Sequence, residues 1–173
     1  MSLSFLPGLM MPDLTSITPG LLRARGVQLL MLDFDNTIVP YTTDVPTDAM
    51  GAWLETMQRS GITLCVVSNS HRARVREFCQ AHGLDCITHA GKPFLRGIRA
   101  CLRRYGLPPE ACALVGDQIY TDVLGANGAG VLSILIPAIH NHTIWLKLRH
   151  LAELPFIALG KRRLRHEQSE QIP

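Results

Sequence analysis

With 173 residues, 47% of them hydrophobic and 18% charged, the chain has enough apolar matter for one packed domain, and its composition excludes a disordered protein. A net charge of +3 is too small to argue for nucleic acid, and five cysteines without Cys-x-x-Cys spacing read as small core residues of a reducing compartment, not as a disulfide framework or a zinc site. No run is long enough to span a bilayer and the apolar start lacks the basic residues of a signal peptide, so a cytoplasmic location is expected, with membrane contact at most peripheral, at its inner face.

Residues 1–26 hold Pro7, Pro12 and Pro19 and are expected to pack as an irregular arm with one short helix at 19–25. An apolar run over 27–32 then predicts a buried strand, ending in Asp33-Phe34-Asp35-Asn36-Thr37. A loop with Pro40 and Pro46 follows. Thr47 and Asp48 cap a helix to about residue 60, with Trp53, Leu54 and Met57 on its apolar face, and Gly61 closes it. Residues 62–67 form a second buried strand, ending at Ser68-Asn69-Ser70. Ser70 caps a helix over 71–82, which Gly83 stops, and 86–88 is a short third strand. Gly91-Lys92-Pro93 opens a helix that runs to 105, with Pro in its first turn. Residues 113–115 are the fourth strand, ending at Gly116-Asp117. A helix at 121–126 and a fifth strand at 131–136 complete the alternation. Strand and helix alternating throughout predict an α/β fold, a three-layer, doubly wound parallel sheet.

Two carboxylates one residue apart at a buried strand end repel each other unless a cation lies between them. Alone, Asp33-x-Asp35 also fits a solvated turn. A calcium loop is a further option, but it wants Gly and Glu where the chain has Ile38 and Asp44, and a helix before it. The third option is covalent phosphoryl transfer: one carboxylate attacks phosphorus, the other handles the leaving-group proton, and Mg²⁺ neutralises acids and phosphate. The company the pair keeps favours this option. Ser68-Asn69, Lys92, and Asp117 with Asp122 all fall at predicted strand or helix boundaries, and strand ends on one side of a parallel sheet converge on one rim. Each has an ordinary use by itself: Ser68-Asn69-Ser70 or Asp122 as a helix cap, Lys92 as a surface lysine, Gly116-Asp117 as a turn. Together and in order they form a reaction centre. Asp33 would be the nucleophile. Asp35 would give a proton to the leaving oxygen and later take one from water. The Ser68 hydroxyl and the Asn69 amide would hold phosphate oxygens, and Lys92 would offset the phosphate charge. Asp117, with Asp122 as a further candidate, would hold Mg²⁺.

These motifs resemble those of the haloacid dehalogenase superfamily of phosphatases, over about residues 27–136. The resemblance implies a Rossmann-like sheet, an aspartyl-phosphate intermediate, and Mg²⁺ held by Asp33, the backbone carbonyl of Asp35, and Asp117. Within the superfamily the chain is similar to the capless YqeG branch of subclass IIIA. That likeness rests on Asp-Asn-Thr-Ile-Val-Pro at 35–40, Ser68-Asn69-Ser70, Gly91-Lys92-Pro93, and Gly-Asp-Gln followed by Thr-Asp-Val at 121–123. The arm with residues 21–26 also resembles that branch, whose eukaryotic relatives are mitochondrial phosphatidylglycerophosphate phosphatases. Phe34 stands where many relatives carry Leu.

The resemblance further implies that relatives acting on small metabolites carry a cap, inserted after the first motif or between the second and third. Residues 39–62 hold only a loop and one helix, and 70–91 one helix and a strand, so no cap is expected. An open site can take a phosphate carried on something large. The expected organisation is an arm over 1–26, a capless phosphatase domain over 27–140, an amphipathic helix over 141–160 packed on or beside it, and a basic, partly disordered tail over 161–173. In that helix Ile144, Leu148, Leu151 and Leu154 recur at helical spacing beside Trp145, with Lys147, Arg149 and His150 between them. It fits either an anionic bilayer surface or a helix covering the sheet edge. The expectation is a Mg²⁺-dependent phosphatase of phosphatidylglycerophosphate, with an anionic phospholipid as partner. A phosphatase of phosphoproteins or nucleic acid ends is the alternative, though no aromatic-basic platform for bases is present and no nucleic acid partner is expected. A binding protein keeping the fold without turnover is the alternative of another class, and the intact Asp33, Asp35, Lys92 and Asp117 argue against it.

Overall fold

The computed structural model describes residues 4–40, 45–71, 73–139 and 159. Apart from Leu159, the helix and tail expected over 141–173 lie outside the described residues.

The sheet grows from β2, Leu29–Leu32, four consecutive apolar residues that are all fully buried. Such a run needs cover on both faces, which an alternating α/β chain supplies. β2 pairs in parallel with β3 (Thr63–Val67) on one side and β5 (Cys112–Gly116) on the other, placing Leu32 opposite Val66 and Val115. β4 (Asp85–Ile87) lies outside β3, and β6 (Leu132–Leu135) outside β5. The arm adds a two-residue strand, β1 (Leu9–Met10), against β6, so the order is β1-β6-β5-β2-β3-β4, all parallel.

Alternation along β2 sorts its side chains between two layers. Leu30, Leu32 and Phe34 join Trp53, Leu54 and Met57 of α2 (Asp48–Arg59) and Val75 and Phe78 of α3 (Ala73–Ala81). Leu29 and Met31 join Ile98 and Cys101 of α4 (Arg96–Tyr105) and Ala126 of α5 (Leu124–Ala129). This is the three-layer arrangement expected from the alternation. Thr47 caps α2, accepting the Met50 N–H at 3.3 Å. The β2–β3 connection is a loop and α2, and the β3–β4 connection is α3; among the described residues neither carries an inserted unit. No described helix is long and apolar enough to cross a membrane.

Three expectations need correction. The arm is more ordered than irregular. Besides the expected short helix, α1 (Pro19–Arg23), it forms β1 and a short 3₁₀ turn at Leu14–Ser16, and it is tied down by polar contacts distant in sequence. Asn127 donates to the Ser4 and Leu6 carbonyls at 2.6 and 2.9 Å, Ser133 Oγ accepts the Gly8 N–H at 2.9 Å, and the Trp53 indole donates to the Ile17 carbonyl at 2.7 Å. Second, the helix expected from Lys92 starts only at Arg96, because the Lys92 backbone is bonded to Asn69 and not to a helical turn. Third, the helix expected at 121–126 is a wide π-turn at Ile119–Val123 leading into α5. There the Gln118 carbonyl accepts from both Asp122 and Val123.

α4 meets the turn before Lys92 closely at Gly97. Its N–H donates to the Ala90 carbonyl at 3.0 Å, and a Cβ there would lie 2.5 Å from the Cβ and 2.6 Å from the Cα of Ala90. Because backbone would have to move, Gly97→Ala is expected to destabilise the protein by about 1–3 kcal/mol. A urea unfolding midpoint equal to the parent's would show that α4 can shift freely.

Candidate active site

In a doubly wound sheet the ligand crevice lies where the strand order reverses, at the carboxyl ends of the strands. Here β3 and β4 extend from one side of β2, and β5, β6 and β1 from the other, so the crevice falls between β2 and β5. Asp33 follows β2, its N–H held by the Val115 carbonyl at 2.9 Å, and Asp117 follows β5.

Lys92 comes to this crevice from the turn after β4. Its ammonium donates to Asp33 Oδ1 and to Asp122 Oδ1, both at 2.6 Å, and all three residues are buried. Asp33, Asp117 and Asp122 each offer a carboxylate oxygen, and these atoms lie within 4.8 Å of one another. Three buried acids gathered this closely raise the cost of ionising each of them. Burial pushes the Asp33 carboxyl up to about 6; Lys92 works against this and Asp122 adds to it. Burial opposes the charge on Lys92, but Asp122 and Asp33 outweigh it and hold the ammonium above the ordinary lysine range.

Two backbone features let Asp122 take part. It sits inside the π-turn, where its Oδ2 accepts the Gln118 N–H at 3.2 Å, and so does not cap α5. Gly116 makes room for it, since a Cβ there would come within 2.3 Å of the Asp122 carboxylate.

The loop after β3 frames the other side. Ser68 is buried at the strand end, and its Oγ accepts the Ser70 N–H at 3.0 Å, which leaves its own hydrogen for an anion. The Asn69 side chain is occupied by the lysine turn. Its Nδ2 donates to the Lys92 carbonyl at 2.8 Å and its Oδ1 accepts the Lys92 N–H at 2.7 Å. Ala90 N–H also donates to the Ser68 carbonyl at 3.0 Å, so the two loops are stitched together.

Asp35 stands apart from this cluster. After β2 the chain turns sharply: Asn36 takes φ 62°, and the N–H groups of Thr37, Ile38 and Val39 converge on the Phe34 carbonyl. Asp35 Oδ1 accepts from Arg74 of α3, whose guanidinium also lies 5.2 Å from the Phe34 ring centre. Of the predicted residues, then, Asp33, Lys92, Asp117 and Asp122 meet directly, Asn69 joins them through the Lys92 backbone, and Ser68 ends the neighbouring strand. Arg74 was not anticipated. No motif marks it, and its one sequence signal is its place at the start of the helix after Ser68-Asn69-Ser70. A separate cavity of about 480 Å³, bordered by Gln58, Thr63, Asp85 and Tyr105, opens at the amino ends of β3 and β4, away from the crevice at the carboxyl ends.

A family model for haloacid dehalogenase-like hydrolases matches residues 20–130. The chain is 36% identical over 132 residues to the probable phosphatase YqeG of Bacillus subtilis (strain 168), a span of 76% of this chain and 77% of that protein. It is 26% identical over 140 residues to the chloroplastic phosphatidylglycerophosphate phosphatase 1 of Chlamydomonas reinhardtii, covering 75% of this chain and 51% of that protein. Among solved structures, the 3-deoxy-D-manno-octulosonate 8-phosphate phosphatase of Moraxella catarrhalis, in complex with magnesium, phosphate and KDO, superposes with a TM-score of 0.52. It shares 17% identity over 86% of this chain and 96% of that one, a likeness of fold.

The paired hydrogen bonds from Asn69 make a specific expectation. Asn69→Ala frees the Lys92 backbone on both sides, and a misplacement of about 1 Å in a reacting group costs roughly a hundredfold in rate. Aryl phosphate hydrolysis should fall accordingly with the circular dichroism spectrum retained; undiminished hydrolysis would mean that the lysine turn holds itself.

Proposed function

The chain belongs to the haloacid dehalogenase-like hydrolases, and from that footing we propose that it is a Mg²⁺-dependent phosphatase which forms an aspartyl-phosphate on Asp33 and takes phosphatidylglycerophosphate as its substrate. The observation that carries the catalytic part is the Lys92 ammonium held between Asp33 and Asp122, inside a cluster of three buried carboxylates at the switch crevice.

That donor set suits Mg²⁺, a hard ion that favours a few carboxylate oxygens together with water and phosphate. Asp33 and Asp117 would hold it with the Asp35 carbonyl. Asp122 is already engaged by Lys92 and Gln118, so it would serve the lysine first and the ion second. When bound, the ion supplies charge neutralisation for the acids and the phosphate.

The residues divide the reaction between them. An Asp33 carboxylate oxygen attacks phosphorus as the bond to the leaving alkoxide breaks, and Asp35 gives that oxygen its proton. Water then attacks the phosphorus of the aspartyl-phosphate and passes a proton to Asp35, which releases inorganic phosphate and restores Asp33. The Ser68 hydroxyl and the Asn69 main-chain amide hold phosphate oxygens. Lys92 faces the developing charge from a buried position where it is little screened. The catalytic unit is the predicted span 27–140, with β1 of the arm completing its sheet.

Two observations support the lipid substrate. The connections around β3 are too short to cover the rim, and a similar protein carries phosphatidylglycerophosphate phosphatase in its name. Purified full-length protein with Mg²⁺ should release phosphate from an aryl phosphate, and Asp33→Asn should lower kcat by at least roughly 10³-fold; activity surviving that change removes Asp33 as nucleophile. Phosphatidylglycerophosphate should be turned over well above phosphoproteins and phosphorylated DNA ends, and a preference for either of those would overturn the lipid assignment.

The Asp33 pKa sets a pH dependence. In the metal-free site its proton leaves at about 6, so below that pH the ion must displace a proton and above it need not. Apparent Mg²⁺ affinity, followed by calorimetric titration, should weaken by up to about tenfold per pH unit on the acid side and level off on the alkaline side. A flat profile from about pH 5 to pH 7 would take Asp33 out of the ligand set.

A further inference from the structure

α4 turns Gly97, Ile98 and Cys101 toward the sheet. Its opposite side carries Arg96, Arg99 and Arg103, all exposed and spaced three and four residues apart, so their guanidinium groups form one stripe. Among the described residues none of the three forms an ion pair, whereas Arg104, off the stripe, is bound to Asp85 at 2.8 Å. The catalytic scheme uses none of them. The stripe begins at the catalytic rim, just past Lys92. Between the two, Phe94 is 78% exposed, the most exposed large apolar side chain among the described residues.

We propose that this face docks the protein onto an anionic phospholipid bilayer, with Arg96, Arg99 and Arg103 against the headgroups and Phe94 inserted beside them. The inference deepens, and rests on, the assignment of a lipid phosphate as substrate. Interfacial binding needs an apolar anchor and attraction to anionic headgroups, and the two occur together here. A nucleic acid partner would use the arginines equally well. Unpaired bases, however, want a series of aromatic faces to stack on, and Phe94 is a single ring. Its position gives the docking a purpose, because inserting the residue next to Lys92 brings the uncovered rim to the membrane surface.

The test is sedimentation of the full-length protein with vesicles of phosphatidylcholine alone, or mixed in equal parts with phosphatidylglycerol. The parent should bind the mixed vesicles, release them as salt rises, and leave pure phosphatidylcholine largely unbound. Arg96→Gln/Arg99→Gln/Arg103→Gln should weaken binding to mixed vesicles on the order of a hundredfold, roughly fivefold per charge. Phe94→Ser should weaken it several-fold, and both variants should hydrolyse a soluble aryl phosphate like the parent. Both keep the basic C-terminal tail, so a loss reports on α4. Parental binding by the triple variant, or equal binding to both vesicle types, overturns the proposal. So does a triple variant that keeps vesicles but loses an oligonucleotide. The catalytic assignment fails separately: a parent that docks through the stripe yet hydrolyses no phosphate ester sinks that assignment and leaves the docking intact.

Discussion

The ammonium of Lys92, buried between Asp33 and Asp122, is the contact on which the rest of the site depends. Taking an isolated carboxylate out of water is costly enough that it either takes up a proton or finds a partner. Here one lysine partners two acids, and Asp117 brings a third buried carboxylate within 4.8 Å of theirs. Carboxylates gathered this closely make a site that favours a cation, and its geometry is set by how well the lysine is held. The surrounding structure reads as the means of holding it. Asn69 bonds both polar groups of its main chain, Gly97 lets α4 press against the turn before it, and Gly116 lets Asp122 approach. These supports come from three different segments of the chain. The site is thus a product of the sheet's topology rather than of any local motif.

Much of this was legible in the sequence wherever one physical signal dominates. The apolar runs that became β2, β3 and β5 are buried on both faces, so composition alone marks them as central strands. Acids, hydroxyls and a lysine at the ends of such runs had to share a rim, because parallel strands end together. The signal fails where the deciding partner is far away in sequence. β1 is two residues long, too short for a period, and it depends on anchors supplied by Asn127 and Ser133. The start of α4 was misplaced because proline after Lys92 suits a first helical turn, while the actual competitor for that backbone, Asn69, lies in another loop. Asp122 looked equally suited to capping a helix; only the π-turn, which no composition announces, turns its carboxylate to the lysine. Arg74 gave no motif because its partner is a residue assigned to chemistry on other grounds.

The separate surroundings of Asp33 and Asp35 bear on how two like groups one residue apart can hold different roles. Along a continued strand both would point the same way, toward the same neighbours. Here the strand is already over at Leu32, and the turn at Asn36, with three N–H groups gathered on the Phe34 carbonyl, sends the two side chains to different neighbours. Asp33 enters the buried cluster, with its side chain 9% exposed and a lysine against it, whereas Asp35 keeps 19% of its side chain in solvent and faces Arg74. A nucleophile gains from a fixed position and from exclusion of water. An acid and base must pass protons to a leaving group and to water, and so needs access. The division of labour proposed for the two aspartates follows the division of their environments, and it follows from a turn of a few residues rather than from any difference in the side chains themselves.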